Sequence, residues 1–306
     1  MNTEKICDFC EKSGISFKLN EPMNAHTSLK IRGPASVFLS PKSEEALIAL
    51  IKELKSLALP YFILGKGSNL LVSDKGIDCA VICLNEMQKI TVKGSHITAE
   101  AGASLSAVCI AAKNAGLAGL EFAFGIPGGV GGALFMNAGA YGGEMSQVVV
   151  TAEYIDGDGN KGAIPLSEMA LGYRTSIFKT SNRIITSVTF SLTPDNSDNI
   201  FARMEDFMSR RKHKQPLEYP SAGSTFKRPA GYFAGALIEQ NGLKGKTVGG
   251  AMVSEKHAGF VINYNGATAE DVKNLMLYVN QAVKQNNGVE LEPEVIFVGE
   301  DFKWKV

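Results

Sequence analysis

Three short islands of this 306-residue chain carry residue types that can do chemistry. Gly172-Tyr173-Arg174-Thr175-Ser176 sets a cation beside two hydroxyls. Ser221-Ala222-Gly223-Ser224-Thr225-Phe226-Lys227-Arg228 sets a serine among small residues with cations downstream, where no hydrophobic pattern asks for Ala-Gly-Ser-Thr. Glu290-Leu291-Glu292-Pro293-Glu294 puts carboxylates at alternate positions beside the start of a strand. Fixed cations and donors stabilise negative charge as it develops, and a placed hydroxyl or carboxyl can move a proton. Each island also has a plain structural reading. Arg174 can be a surface residue, Ser224 a helix cap and Glu294 a solvated strand edge, and taken singly those readings are the stronger. Ser224 is not a hydrolase nucleophile elbow, because Ala222 stands where the G-x-S-x-G turn needs glycine. No His–Asp pair accompanies it.

A fourth island has a different character. Residues 125–143, GIPGGVGGALFMNAGAYGG, hold eight glycines and no charge. Glycine costs backbone entropy, so such clustering implies left-handed turns or a backbone that must approach a ligand where a Cβ would not fit. Any anion bound there meets main-chain N–H groups rather than Lys or Arg. A flexible linker would be polar, whereas Ile126, Val130, Leu134, Phe135 and Met136 call for burial.

The elements that must hold these islands are short and mixed. Ser43–Leu59 reads as a helix with Ala46, Leu47, Leu50, Ile51 and Leu54 on one face, a Ser43 cap and Pro60 beyond its end. Tyr61–Leu64 reads as a buried strand entering the Gly65-Lys66-Gly67-Ser68-Asn69 turn, after which Leu70–Val72 resumes. Strand, turn, strand is not the Rossmann order, and Leu70 holds the place of the third glycine of that motif. Further strands are expected at 80–84, 97–100, 148–155, 162–165 and 187–192, with a hairpin turn at Asp156–Asn160. Helices are expected over 104–115, 201–211 and 268–285, the last with a Thr268/Asp271 capping box. The polar stretch Thr193–Asn199 reads as a domain boundary. Without βαβ regularity the pattern predicts an α+β fold.

Bulk properties narrow the classes. Thirty-one basic residues balance 31 acidic ones, so no net field draws in nucleic acid or a membrane surface. No apolar run is long enough for a membrane span, and the N-terminal sequence has no signal-peptide core. A cytoplasmic protein with no obligatory protein partner is expected. Five cysteines make an odd count in a chain that is not small, which speaks against a disulfide framework. Cys7 and Cys10 have metal-like spacing but no second pair, and no metal is expected.

The islands together stand in the order of one family. Gly65–Val72, the 125–143 run, Gly172-Tyr173-Arg174, Ala222–Pro229, Leu243-Lys244-Gly245 and Leu291–Glu294 resemble the UDP-N-acetylenolpyruvoylglucosamine reductases, flavoenzymes of bacterial peptidoglycan synthesis. The resemblance runs from Asn24-Ala25-His26-Thr27-Ser28 to the end of the chain. It implies two FAD-binding subdomains of the vanillyl-alcohol oxidase and p-cresol methylhydroxylase type, expected at 1–90 and 91–199, and an α+β substrate domain at 200–298. A last segment, 299–306, would return to the first subdomain. It implies non-covalent FAD, NADPH as the hydride source and a UDP-sugar substrate whose enolpyruvyl ether is reduced. Arg174 then faces the substrate carboxylate, Glu294 serves near it as a proton-bearing donor, and Ser224 protonates the enolate.

Cofactor contacts are expected at Gly65, Gly67, Ser68, Asn69 and Leu70 and at Gly125, Ile126, Pro127, Gly128, Val130, Gly131, Gly132, Asn137, Gly139 and Ala140. Substrate contacts are expected at Tyr173, Arg211, Lys214, Arg228 and Lys244. The short stretch between Arg174 and the helix near residue 201 resembles the shorter, second type of the family, which lacks a tyrosine-bearing loop over the diphosphate. Ile296 and Arg228 depart from the longer type, so the diphosphate is expected to be read by Arg228, Arg210 or Arg211. Two other readings are another flavin oxidoreductase on the same scaffold and a non-enzymatic nucleotide-binding protein. Ser224 and Glu294 belong to the substrate half and distinguish the reductase from the former.

Overall fold

The computed structural model describes residues 3–299. Helices are α1 (Glu4–Ser13), α2 (Glu44–Ser56), α3 (Leu105–Asn114), α4 (Val130–Phe135), α5 (Ser197–Lys214), α6 (Ala234–Gln240) and α7 (Ala269–Asn287). With the strands they make an α+β fold. The chain divides into two compact units. The first comprises residues up to 18, 37–66 and 79–210, and the second 19–36, 67–78 and 211 onward. The chain therefore passes between the units five times, the last inside α5. The expected returning segment lies, from residue 300, outside the described residues.

The first unit is built on a five-stranded antiparallel sheet in the order Lys161–Pro165, Val149–Ile155, Ile184–Ser191, His96–Glu100, Ile90–Lys93. The Asp156 carboxylate accepts the Asp158 and Asn160 N–H groups, which with Gly159 at φ +79° closes the predicted hairpin. Tyr61–Leu64 pairs in parallel with Ala80–Cys83. α2 forms as the sequence dictates. The Ser43 hydroxyl accepts the Ala46 N–H at 3.2 Å, two glutamates occupy the first turn, and Leu47, Leu50, Ile51 and Leu54 are fully buried. Ser104 caps α3 in the same way.

The second unit has its own core. α7 lays Val272, Leu275, Met276, Val279 and Val283, all at most 2 % exposed, among the buried residues that also include Ala251, Val253 and Val261 of a small antiparallel sheet. Its start is the predicted capping box, with Thr268 Oγ1 accepting the Asp271 N–H at 3.0 Å and Asp271 accepting the Thr268 N–H at 3.0 Å. Gly288, at φ +69°, ends it. Leu70–Val72 pairs in parallel with Ile296–Val298. No described helix is long and apolar enough to cross a membrane.

Candidate functional site

In the first unit the glycine run is mostly close packing. The N–H groups of Val130 and Gly131 donate to Ala103 and Ala101, both at 2.9 Å, and Gly128 accepts from Leu105 at 3.0 Å. These bonds press α4 onto residues 101–105. A Cβ on Gly131 would come 2.8 Å from the Ala101 Cβ, one on Gly129 3.0 Å from the Ala101 carbonyl oxygen, and one on Gly143 2.5 Å from the Phe122 ring. Only Gly125 and Gly142 of the eight take left-handed φ angles. Gly132 is different. It lies within α4, needs no left-handed φ, and a Cβ there would have no protein atom within 4 Å beyond its own helix backbone and chain neighbours. Gly65 is the same. Neither sterics nor backbone conformation explains glycine at these two positions. Bare, uncharged backbone with open space in front of it is suited to a close-lying anion, and the diphosphate of FAD fits such a surface.

The Arg174 turn is tied to this run. Gly172 and Thr175 exchange both N–H···O bonds at 3.2 Å, leaving Tyr173 and Arg174 as the two central residues. Arg174 takes φ +55°, a left-handed angle that costs a side-chain-bearing residue about 1 kcal/mol or more. The turn is pinned on both sides. Asn137 Nδ2 donates to Gly172 O at 3.0 Å, and Ser176 Oγ donates to Phe135 O at 2.7 Å. Asn137, itself at φ +43° and 1 % exposed, also accepts the Ser146 N–H through Oδ1 at 3.0 Å. Both of its amide groups thus hold backbone. The Arg174 guanidinium lies 5.3 Å from the centroid of the exposed Tyr173 ring.

In the second unit the structure brings together two islands that lie 70 residues apart. The Glu294 N–H donates to Thr225 O at 2.9 Å and the Lys227 N–H to Glu292 O at 2.8 Å, with Phe226 opposite Pro293. Ser224 is exposed, next to Gly223 at φ +78°; Glu294 is half-buried. Thr225 is the buried anchor, its Oγ1 accepting the Val261 N–H at 2.8 Å and its N–H donating to Gly259 O at 2.9 Å. Asn69 bridges to the same strand: its Nδ2 donates to Glu294 O and its carbonyl accepts the Ile296 N–H, both at 3.0 Å. Gly67 holds the turn before it at φ +61°, where a Cβ would fall 2.0 Å from His26 O. The Ser28 hydroxyl lies between Ser221 O, at 2.6 Å, and Ser68 O, at 3.2 Å. Sequence reasoning gave Ser28 no task; its only signal was its place in the Asn24–Lys30 motif.

The candidate cations are unlike one another. Arg211, in the last turn of α5, is 8 % exposed rather than solvated. Lys214 and Arg228 are exposed. Lys244 Nζ pairs with Glu239 at 2.5 Å. Behind Thr225, His257 Nδ1 accepts the Gly259 N–H at 3.1 Å, and burial pushes this imidazole below its usual 6.5.

Residues 215–298 match the C-terminal domain of UDP-N-acetylenolpyruvoylglucosamine reductase, and residues 35–161 match an FAD binding domain. A UDP-N-acetylenolpyruvoylglucosamine reductase of Caldanaerobacter subterraneus is 52 % identical over 92 % of this chain and 93 % of its own length. One from Clostridium perfringens is 48 % identical over the same shares. The chain belongs to the UDP-N-acetylenolpyruvoylglucosamine reductase family. The crystal structure of the reductase from Thermus caldophilus superposes with a TM-score of 0.79 at 35 % identity, covering 93 % of this chain and 98 % of that one. In this member of the reductase family, the FAD-domain match takes in Gly65 and Gly132. The C-terminal match takes in Ser224 and Glu294.

Proposed function

We propose that this chain reduces UDP-N-acetylenolpyruvoylglucosamine to UDP-N-acetylmuramate with NADPH as electron donor, in the cytoplasm, using FAD held by residues within 1–199 and a substrate domain within 200–298. The reading rests on one observation above others: the Thr225–Glu294 backbone bond, which joins the segment that carries Ser224 to the segment that carries Glu294, both in the half that belongs to this family. FAD, when bound, supplies a carrier that accepts a hydride from a nicotinamide and delivers it to the methylene carbon of the enolpyruvyl ether.

The protein's own part is the charge and the proton. Hydride addition leaves an electron pair on the neighbouring carbon, delocalised into the substrate carboxylate. Arg174 stabilises that charge, and its strained, doubly pinned turn means it need not reorganise as the charge appears. Glu294 acts beside the same carboxylate. Ser224 gives its hydroxyl proton to the carbanionic carbon, completing a CH–CH₃ unit, and regains a proton from solvent. Gly65, Gly67, Ser68, Asn69 and Leu70, with Gly125, Ile126, Pro127, Gly128, Val130, Gly131, Gly132, Asn137, Gly139 and Ala140, contact the cofactor, and Tyr173, Arg211, Lys214, Arg228 and Lys244 the sugar nucleotide.

Half-reactions test this. The purified protein carries flavin, NADPH bleaches it, and the enolpyruvyl sugar nucleotide restores the colour. Bleaching without reoxidation would sink the substrate assignment and favour a different acceptor. Ser224→Ala keeps its flavin and its reduction by NADPH but loses about 10²–10⁴-fold in reoxidation. Equal losses in both halves would make Ser224 structural.

A further inference from the structure

Directly after the segment that carries Ser224 the chain makes a loop, Arg228-Pro229-Ala230-Gly231-Tyr232-Phe233, turned by Gly231 at φ +76°. Phe233 is 63 % exposed, more than any other large apolar side chain among the described residues, and Tyr232 beside it is 49 % exposed. The α6 residues that follow, Ala234, Leu237 and Ile238, are buried, so the core had an apolar position available one residue later and left this ring outside. Scattered exposed aromatics are ordinary. This one is not scattered: the Arg228 guanidinium sits 4.5 Å from the Phe233 ring centroid. The pair combines a donor fork that stays charged with a π-face held in fixed relation to it. That is a chemistry suited to a base joined to a phosphate, because aromatic rings stack on bases and guanidinium groups bind phosphate oxygens in a bidentate manner.

We propose that Phe233 is the stacking platform for the uracil ring, with Arg228 held over the same ring to meet the adjoining diphosphate. The proposal rests on the sugar-nucleotide reading above and adds a residue to it that family motifs did not supply.

The test compares UDP with its 5,6-dihydrouracil analogue, whose base is neither planar nor aromatic, as ligands of the FAD-loaded protein. The wild-type chain binds UDP more tightly than the analogue, by about 5- to 100-fold. Phe233→Ala narrows that gap to within about twofold, while Phe233→Trp keeps it, and flavin content stays at the wild-type level in both. A wild-type chain that does not discriminate, or the same gap in Phe233→Ala, overturns the proposal. So does Phe233→Ala weakening UDP and the analogue equally, because the ring then serves only to hold Arg228. These outcomes are read by binding alone. Failure of the enolpyruvyl sugar nucleotide to reoxidise the flavin would count against the reductase reading whatever this comparison shows.

Discussion

Gly132 sits inside α4 where an alanine would meet no protein atom beyond its own helix and would spare backbone entropy. The fold by itself gains from the exchange; only a ligand loses. Gly132→Ala is therefore expected to raise the stability of the flavin-free protein by about 0.5–1 kcal/mol and to lower its flavin retention. Denaturant unfolding of stripped protein and the flavin absorbance of purified protein read the two effects separately. Gly131→Ala is the control, since its Cβ would meet Ala101 at 2.8 Å and cost stability and flavin together. Full flavin content in Gly132→Ala would mean that nothing approaches this backbone. The run's density of glycine was plain in the sequence, but its reason was mixed. Gly129, Gly131, Gly139 and Gly143 serve chain-on-chain packing, which a single sequence cannot separate from ligand approach. Asn137 was read as a cofactor contact, and both of its amide groups hold backbone.

Helix α5 is fastened to the segment that leads into the glycine run. Arg203 donates to Glu121 Oε1 through Nε at 3.0 Å and Nη2 at 2.6 Å, and through Nη2 to Asp195 at 2.6 Å. Glu121 is 7 % exposed, and its second oxygen accepts the Gly119 N–H at 2.7 Å. Next to it, Phe122 lies against Gly143. Arg203→Ala strands the buried carboxylate and is expected to cost on the order of 1–3 kcal/mol and to reduce flavin retention. Asp195→Ala, at the half-buried arm, should cost less than loss of the Glu121 contact; equal costs would show that Glu121 is not the partner that matters. Chemical denaturation of the three proteins decides. Such clamps were invisible in the sequence, because 82 residues separate Arg203 from Glu121. What could be read were elements with local causes: α2, α3 and α7 each carry their own cap and apolar stripe. α4 could not be read, because its glycines argue against a helix and tertiary bonds from Val130 and Gly131 fix it. α6 starts at Phe233 with no side-chain cap to announce it. The Ser224 and Glu294 islands stand out singly in the sequence, and their pairing, being non-local, does not.

On the scale of the whole chain the acidic and basic residues cancel, so the pH dependence of stability is governed by individual sites. His257 is one. Burial holds its folded value below 6.5, nearby Lys244 pushes the same way, and Glu239 and its own backbone bond oppose. As pH falls, the unfolded chain takes up that proton first. The contribution is thus complete above pH 6.5 and is lost as pH drops from there toward the folded value. Thermal unfolding should show a decline in stability below pH 6.5, before the carboxylates titrate, and His257→Gln should flatten it. Identical slopes in both proteins would assign the decline elsewhere.

The second unit takes residues from near the start, from 67–78 and from the last third of the chain. Its Asn69–Glu294 bond joins residues 225 apart in sequence. During synthesis, which delivers about 5–20 residues each second, Leu70–Val72 must wait for Ile296–Val298 before it has the partner it pairs with here. The half of the proposed active site that carries the proton donor and the carboxylate is thereby among the last parts of the protein that can assemble. A ribosome stalled between residues 211 and 293 leaves a chain that has all the residues of its first unit and lacks the Glu294 carboxylate of the proposed active site.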